Sequence, residues 1–183
     1  MKPKSIGLIQ VYTGGGKGKT TASLGLAVRA LGAGKRVAFF QFDKGGTHYS
    51  EHRVIAERLA DILHHEAFGL DRIDPVNGRF RFGVTDEDRA EAARGLTAVV
   101  EAVASGAYDL VVVDEFNTTV TLGMLSEEQA RAVLAAKAPD VELVLTGRDA
   151  PQFVLDAADL ITEVREVLHY FRQGVPAREG FDY

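Results

Sequence analysis

Tyr12-Thr13-Gly14-Gly15-Gly16-Lys17-Gly18-Lys19-Thr20-Thr21 is the stretch that decides how the rest of the chain is read. An apolar run, Ile6–Tyr12, precedes it. Thr20–Leu31 follows with small and apolar residues at helical spacing, and stops at Gly32 and Gly34. Strand, glycine-rich loop and helix in that order is the setting of a phosphate-binding loop. Glycines let the backbone turn its N–H groups inward around phosphate oxygens. The helix N-terminus adds unpaired donors and a partial positive charge. Lys19 is positioned to bring an ammonium to the phosphates and Thr20 to offer a hydroxyl to Mg²⁺, with Thr13, Gly14, Gly15, Gly16, Lys17, Gly18 and Thr21 completing the expected nucleotide-binding loop. The alternative, a glycine-rich turn with a solvated lysine, leaves the flanking strand and helix without a purpose. The spacing departs from a standard Walker A loop. Thr13 stands where a glycine would lie five residues before the Gly of Gly-Lys-Thr, and Lys17 adds a cation inside the turn. A hydrolase template therefore does not transfer unchanged.

Working outward, three more runs read as strands covered on both faces: Arg36–Phe42, Leu110–Asp114 and Val141–Thr146. Asp86–Ala104 opens with acidic residues that suit a helix N-terminus and ends near Gly106. Ser126–Ala136 begins with Ser126 and places Gln129 three positions later, a capping box. Strands alternating with helices predict an α/β, three-layer P-loop fold with a mainly parallel sheet and helices on both faces. His64–Gly83 reads as irregular or as a short β excursion, Asp159–Phe171 as a candidate last strand, and Arg172–Tyr183 as a tail over the surface. The chain has 183 residues, which predicts a single domain spanning 1–183 with 172–183 as that tail.

Composition narrows the function classes. With no cysteine, disulfides, thiolate metal sites and a cysteine nucleophile are excluded. A formal charge of −5 argues against broad nucleic-acid binding. No apolar stretch approaches the roughly 20 residues that span a bilayer, and Met1–Lys4 is not followed by a signal segment, so neither a membrane nor export is expected. A cytoplasmic protein is the expectation. At the end of an apolar strand, Asp114 and Glu115 face the crevice where ligands bind in parallel sheets. With Thr20 they are the candidate Mg²⁺ ligands for a bound nucleoside triphosphate.

Further motifs occur in a fixed order: Thr13–Thr21, Gln41-Phe42-Asp43-Lys44-Gly45, Val113–Asn117, Leu145-Thr146-Gly147-Arg148-Asp149-Ala150-Pro151, Ala158–Glu163, His169-Tyr170, Gly174–Ala177 and a closing Gly180-Phe181-Asp182-Tyr183. Together they resemble the P-loop ATP:corrinoid adenosyltransferases, which act on cob(I)alamin or cob(I)yrinic acid a,c-diamide. The resemblance implies transfer of the 5′-deoxyadenosyl group of ATP to the cobalt(I) of a reduced corrinoid, with triphosphate as leaving group. Cobalt(I) is itself the nucleophile, so the protein's part is to bind, align and neutralise charge. Carried over by position, Gly14 to Thr20 hold the phosphates, and Thr20 and Glu115 are metal ligands with Asp114 in support. Gly147 and Arg148 lie beside the polyphosphate, and Lys44 and Gly45 border the nucleotide or corrinoid. Lys19 and Arg148 are the catalytic cations. The resemblance implies that ATP lies reversed in the loop relative to hydrolases, an orientation the sequence itself leaves open. The resemblance also implies a flavoprotein-like reductant as partner, and it leaves open the choice of corrinoid and whether the chain forms a homodimer.

The corrinoid side differs from the family pattern. A Gly-Phe-Thr-Trp segment usually precedes the acidic helix, whereas Arg79–Thr85 stands here and the chain contains no tryptophan. Phe80 and Phe82 are the aromatic candidates. Gly15 replaces a common Asn, and Leu168 a common Lys. A second reading follows, an ATP-binding switch on the same scaffold with little corrinoid transfer; an NTP hydrolase or kinase ranks below both. His48 and His52 lack a third ligand for a zinc site, and His64 and His65 point apart. Arg53, Arg58, Arg72, Arg79 and Arg81 suit either an acidic corrinoid side chain or a solvated face.

Overall fold

The computed structural model describes residues 7–73, 76 and 81–183. Its centre is a six-stranded sheet in the order β3-β2-β4-β5-β1-β6, with every pair parallel. The strands are β1 (Ile9–Thr13), β2 (Val37–Phe42), β3 (Leu63–Phe68), β4 (Leu110–Asp114), β5 (Glu142–Thr146) and β6 (Leu160–Glu163). Parallel pairing follows from the connections, since each of β1 to β5 is followed by at least one helix that returns the chain to the opposite end of the strands.

Side-chain alternation sorts the strands into two cores. Val37 and Phe39 of β2, Leu110 and Val112 of β4, and Val144 of β5 pack on one face with Ala27 of α1 (Lys19–Gly32) and with Ile55. Ala38, Phe40 and Phe42 of β2, Val111 and Val113 of β4, and Leu143 and Leu145 of β5 pack on the other face. That face is covered by α3 (Asp86–Ser105) and α5 (Glu127–Ala136). The result is the three-layer α/β fold that the strand and helix runs imply.

Local signals set the helix limits. Lys19, Ser23 and Ala27 recur every fourth residue as the buried stripe of α1. Thr85 caps α3 through a reciprocal pair with Asp88, and Gly106 closes it at a φ of 65°. Ser126 and Gln129 form the capping box of α5.

Most observed elements extend or shorten the expected ones by a residue or two, and β1 begins at Ile9 where the apolar run begins at Ile6. The short β excursion expected in His64–Gly83 is the edge strand β3, Leu63–Phe68, paired with β2. Only the first third of Asp159–Phe171 is strand, namely β6, and a short 3₁₀ turn follows at Tyr170–Gln173. Three short helices had no periodic signature: α2 (Ser50–Val54), which runs on into a π turn at Ile55–Leu59, α4 (Phe116–Thr121) and α6 (Gln152–Ala157). Ile6, Arg79 and Phe80 lie outside the described residues. No helix among the described residues is long and apolar enough to cross a membrane.

Packing of α3 on the sheet depends on one missing side chain. A Cβ on Gly95 would stand 2.8 Å from the rings of both Phe42 and Phe68. Gly95→Ala is expected to destabilise the protein by about 1–3 kcal/mol through overpacking. A urea midpoint matching that of the parent would show that the helix rides higher than described.

Candidate active site

Because all strands run the same way, their carboxyl ends share one edge, and the loops leaving β1, β2, β4 and β5 meet there. They enclose a cleft of about 580 Å³ lined by Gly16–Thr21, Lys44, Tyr49–Glu51, Glu115 and Arg148. Its outer wall is the chain after β6, at His169–Phe171 and Gly180–Tyr183. Ligands of open parallel sheets bind at this edge.

The glycine-rich loop hugs the exit of β6. Val164 donates its N–H to Thr13 O at 2.8 Å, and Gly16 donates to Val164 O at 2.8 Å. A Cβ on Gly14 would lie 2.5 Å from Val164 O, and Gly14 has a φ of +97°. A Cβ on Gly16 would lie 2.8 Å from the same oxygen. Side chains at these two positions would push the loop off the edge strand. Gly15 has open space around it, so nothing in the fold demands a glycine there. Lys19 folds back and donates to Gly14 O at 2.7 Å and Gly16 O at 2.8 Å. Burial lowers its pKa, with Glu115 opposing and Arg148 reinforcing the shift. Lys17 pairs instead with Asp182 at 3.3 Å. Asp182 also accepts from the Tyr170 hydroxyl and the Arg178 N–H, which hold its carboxyl well below the usual range. Ser50 donates to Tyr183 O at 3.0 Å, tying the end of the tail to α2.

Beneath the loop, the apolar face of the sheet turns polar at its rim. Two residues beyond Val144, Val112 and Phe39 stand Thr146, Asp114 and Gln41, and two beyond Leu63 stands His65, all on the α1 side. Asp114 and Gln41 are opposite each other in register, and both are fully buried. Thr146 donates to Asp114 Oδ1 at 2.5 Å, and Lys44 sits 2.9 Å from Asp114 Oδ2. The Lys44 ammonium also lies 3.4 Å from Glu51 Oε1 and 3.1 Å from Thr20 Oγ1. Burial alone would lower the lysine's pKa, but Asp114 and Glu51 more than offset it and Lys44 is held above the ordinary value. Gln41 donates to Glu51 and Asp114, each at 3.3 Å, and its carbonyl faces His65 Nε2 at 2.9 Å.

Glu115 follows at a φ of 58°, a left-handed conformation that turns its carboxylate away from the sheet and into the cleft. Thr118 donates to Glu115 Oε2 at 2.6 Å. Burial and the adjacent Asp114 raise the Glu115 pKa, while Thr118, Lys44 and Lys19 work against the shift. A cation near Glu115 would relieve that cost. Mg²⁺ takes one or two protein oxygens beside phosphates and water. Thr20 and Glu115 offer such a set on the cleft wall. Asp114 lies beneath them, hydrogen-bonded to Thr146, Lys44 and Gln41.

Arg148 is exposed at the cleft, with its N–H donating to Thr118 Oγ1 at 3.0 Å. Gly147 has a φ of +132°, and a Cβ there would meet Thr118 N at 2.7 Å. Thr13 Oγ1 accepts from Ala150 N at 3.1 Å, and Thr21 lies at the cleft surface. The structure thus brings Gly16–Thr21, Lys44, Glu115 and Arg148 to one cavity, with Asp114 underneath. Arg72 is neither solvated nor at the cleft: it is buried, 2.7 Å from Asp43. Phe82 is 85% exposed. Gln41, Glu51, Tyr49, Thr118 and the tail residues Tyr170 and Asp182 were not singled out from sequence as parts of the site. Gln41 and Thr146 stand in the ordered motifs and at the polar endings of otherwise apolar strands, the signals that point to them.

Residues 5–183 match the family described as ATP:corrinoid adenosyltransferase BtuR/CobO/CobP. The chain belongs to that family. It is 34% identical to the corrinoid adenosyltransferase CobA of Salmonella typhimurium, covering 97% of this chain and 86% of that protein. To the corrinoid adenosyltransferase of Pseudomonas aeruginosa it is 31% identical, over 97% of this chain and 84% of the other. A Nostoc protein is 36% identical over 96% of this chain, which spans only 48% of the Nostoc protein's length. Membership agrees with the ordered motifs from Thr13 to Tyr183, which fall on the loops that build the cleft.

Burial lowers the pKa of His65 to about 4 from 6.5, with His52 adding to the shift. Below pH 6.5 the unfolded chain takes up a proton that the folded chain refuses, so stability is complete above that value and falls as pH drops toward 4. His52, also lowered by burial, acts in the same direction. The loss attributable to His65 is on the order of 1–2 kcal/mol once its contact with solvent is allowed for. Urea unfolding at pH 7 and pH 4.5 measures it, and His65→Gln should flatten the difference; an unchanged slope would remove His65 as its source.

Proposed function

We propose that this protein transfers the 5′-deoxyadenosyl group of ATP to the cobalt(I) of a reduced corrinoid and releases triphosphate. Family membership supports the reaction. The observation that carries it to this chain's own residues is a cleft walled by backbone amides and four cations, in which Glu115 is the carboxylate turned toward the ligand. Lys17, Lys19, Lys44 and Arg148 line that cleft. Asp114 is engaged by Lys44, and Glu51 by Lys44 and Gln41. Such a site is suited to holding and neutralising a polyanion that departs.

In this reading cobalt(I) donates an electron pair to C5′, the C5′–O bond breaks, and its electrons leave with the triphosphate. No proton has to move. The loop from Thr13 to Thr21 cradles the phosphates through its N–H groups. Lys19 exchanges its two carbonyl partners for phosphate oxygens, and Lys17 exchanges Asp182 in the same way. Arg148 and Lys44 complete the charge around the leaving group, and Gly147 keeps the chain beside it narrow. Thr20 and Glu115 are the residues that would hold Mg²⁺, which supplies further charge neutralisation when bound. A corrinoid reduced to cobalt(I) requires an electron donor, for which a flavoprotein in the cytoplasm is the proposed partner.

Incubation with ATP, Mg²⁺ and chemically reduced cobalamin should yield a light-sensitive alkylcobalamin and inorganic triphosphate in equal amounts. Lys19→Ala should lower the rate by about 10²–10³-fold, the usual cost of losing one preorganised charge-stabilising group. Tight ATP binding without either product would favour a nucleotide-dependent switch, and release of phosphate or ADP would mark a hydrolase or kinase.

A further inference from the structure

The nucleotide-site reading uses Lys44 but gives no role to the buried amide behind it. We infer that Gln41, oriented by His65, is the positioning residue that holds the Lys44 ammonium against the phosphate-loop hydroxyl of Thr20. The inference rests on the proposal that this cleft receives a triphosphate.

Two carboxylates converge on Lys44, Asp114 Oδ2 at 2.9 Å and Glu51 Oε1 at 3.4 Å. Gln41 Nε2 lies 3.3 Å from each of the same two oxygens. The amide therefore stands between two anions that would otherwise repel each other, and it donates one N–H to each. Its orientation is forced. Turned over, it would present its carbonyl to both carboxylates and its NH₂ to the ring of His65. Instead Oε1 accepts from His65 Nε2 at 2.9 Å, so the neutral ring carries its proton on Nε2. Gln41 has no exposure to solvent and Lys44 is 9% exposed, so water cannot replace either partner freely. The chain of contacts runs His65, Gln41, Asp114 with Glu51, Lys44, Thr20. Remove the amide and Glu51 loses a donor and can turn outward. Lys44 then loses the second carboxylate that fixes its ammonium between Asp114 and Thr20.

This arrangement has a distinctive signature, because the effect of Gln41 on the ligand passes entirely through Lys44. Inorganic triphosphate serves as probe, with binding followed by calorimetry for the parent, Gln41→Leu, Lys44→Met and the double variant. Gln41→Leu is expected to weaken binding about fivefold to twentyfold, and Lys44→Met by at least as much. The double variant should bind no more weakly than Lys44→Met alone. Losses that multiply would mean that Gln41 acts elsewhere or only through general stability, and so would an unaltered affinity in Gln41→Leu; either result overturns the assignment. His65→Phe gives a second cycle should Gln41→Leu fail to fold: a loss of about twofold to fivefold in the parent that disappears beside Lys44→Met. A parent protein that binds no triphosphate sinks both this inference and the reading beneath it. One that binds triphosphate with multiplicative losses sinks the inference alone.

Discussion

Asp114 ends the central strand with its carboxylate wholly removed from solvent. A charge in that position costs several kcal/mol unless it is met by partners of good geometry. Thr146 meets it from the neighbouring strand, Lys44 from the turn after β2, and Gln41 from β2 itself. Meeting it has structural consequences. The turn after β2 must fold inward over the sheet to bring Lys44 to Asp114, and in doing so it closes the floor of the cleft beneath the glycine-rich loop. The loop's own Thr20 then shares the Lys44 ammonium. One buried anion thus couples three successive loops that are far apart in sequence.

The second constraint is steric. Gly14 and Gly16 let the loop lie directly against the chain leaving β6, through hydrogen bonds in both directions between Thr13, Gly16 and Val164. β6 itself buries little: every residue from Leu160 to Glu163 is exposed. An edge strand with so thin an apolar contribution is held mainly by its ladder to β1 and by this contact with the loop. The same contact sends the following chain across the mouth of the cleft, where Tyr170, Arg178 and Lys17 converge on Asp182. Lys17 therefore has an internal anionic partner that a polyphosphate would have to displace. That exchange is cheap, because Tyr170 and Arg178 continue to satisfy the carboxylate.

How much of this was legible from the chain depended on whether the signal was local. Leu110–Asp114 and the flanks of the glycine-rich loop are continuous apolar runs next to turn residues, and they fold as the pattern implies. Leu63-His64-His65-Glu66-Ala67-Phe68 is an edge strand with a ladder partner on one side only and a polar middle, so its pattern left a short β excursion and an irregular stretch both open. The helices α2, α4 and α6 span less than two turns each, too short for a periodic stripe. Arg72 looks like one more surface arginine until Asp43 is brought beside it. Gln41 and Lys44 are separated from Asp114 by some seventy positions, and their partnership exists only once β2 and β4 pair in register.

That register also bears on what the site can do. In a site where a strand-end aspartate holds the metal, the aspartate must keep an oxygen turned toward solvent. Here the aspartate is spent on a lysine, and the next residue, Glu115, is twisted into a left-handed conformation that presents its carboxylate to the cleft instead. A backbone in that region costs about 1–2 kcal/mol for a side chain such as Glu. Strain of this kind persists where surrounding contacts hold it, and the Thr118 and Thr146 hydroxyls, one on the carboxylate and one on the Glu115 N–H, supply that hold. The two adjacent acids therefore differ in direction: Asp114 points down and fixes Lys44, while Glu115 points up into the cleft. With cations on both levels around the cleft, the geometry suits stabilising a polyanion that leaves.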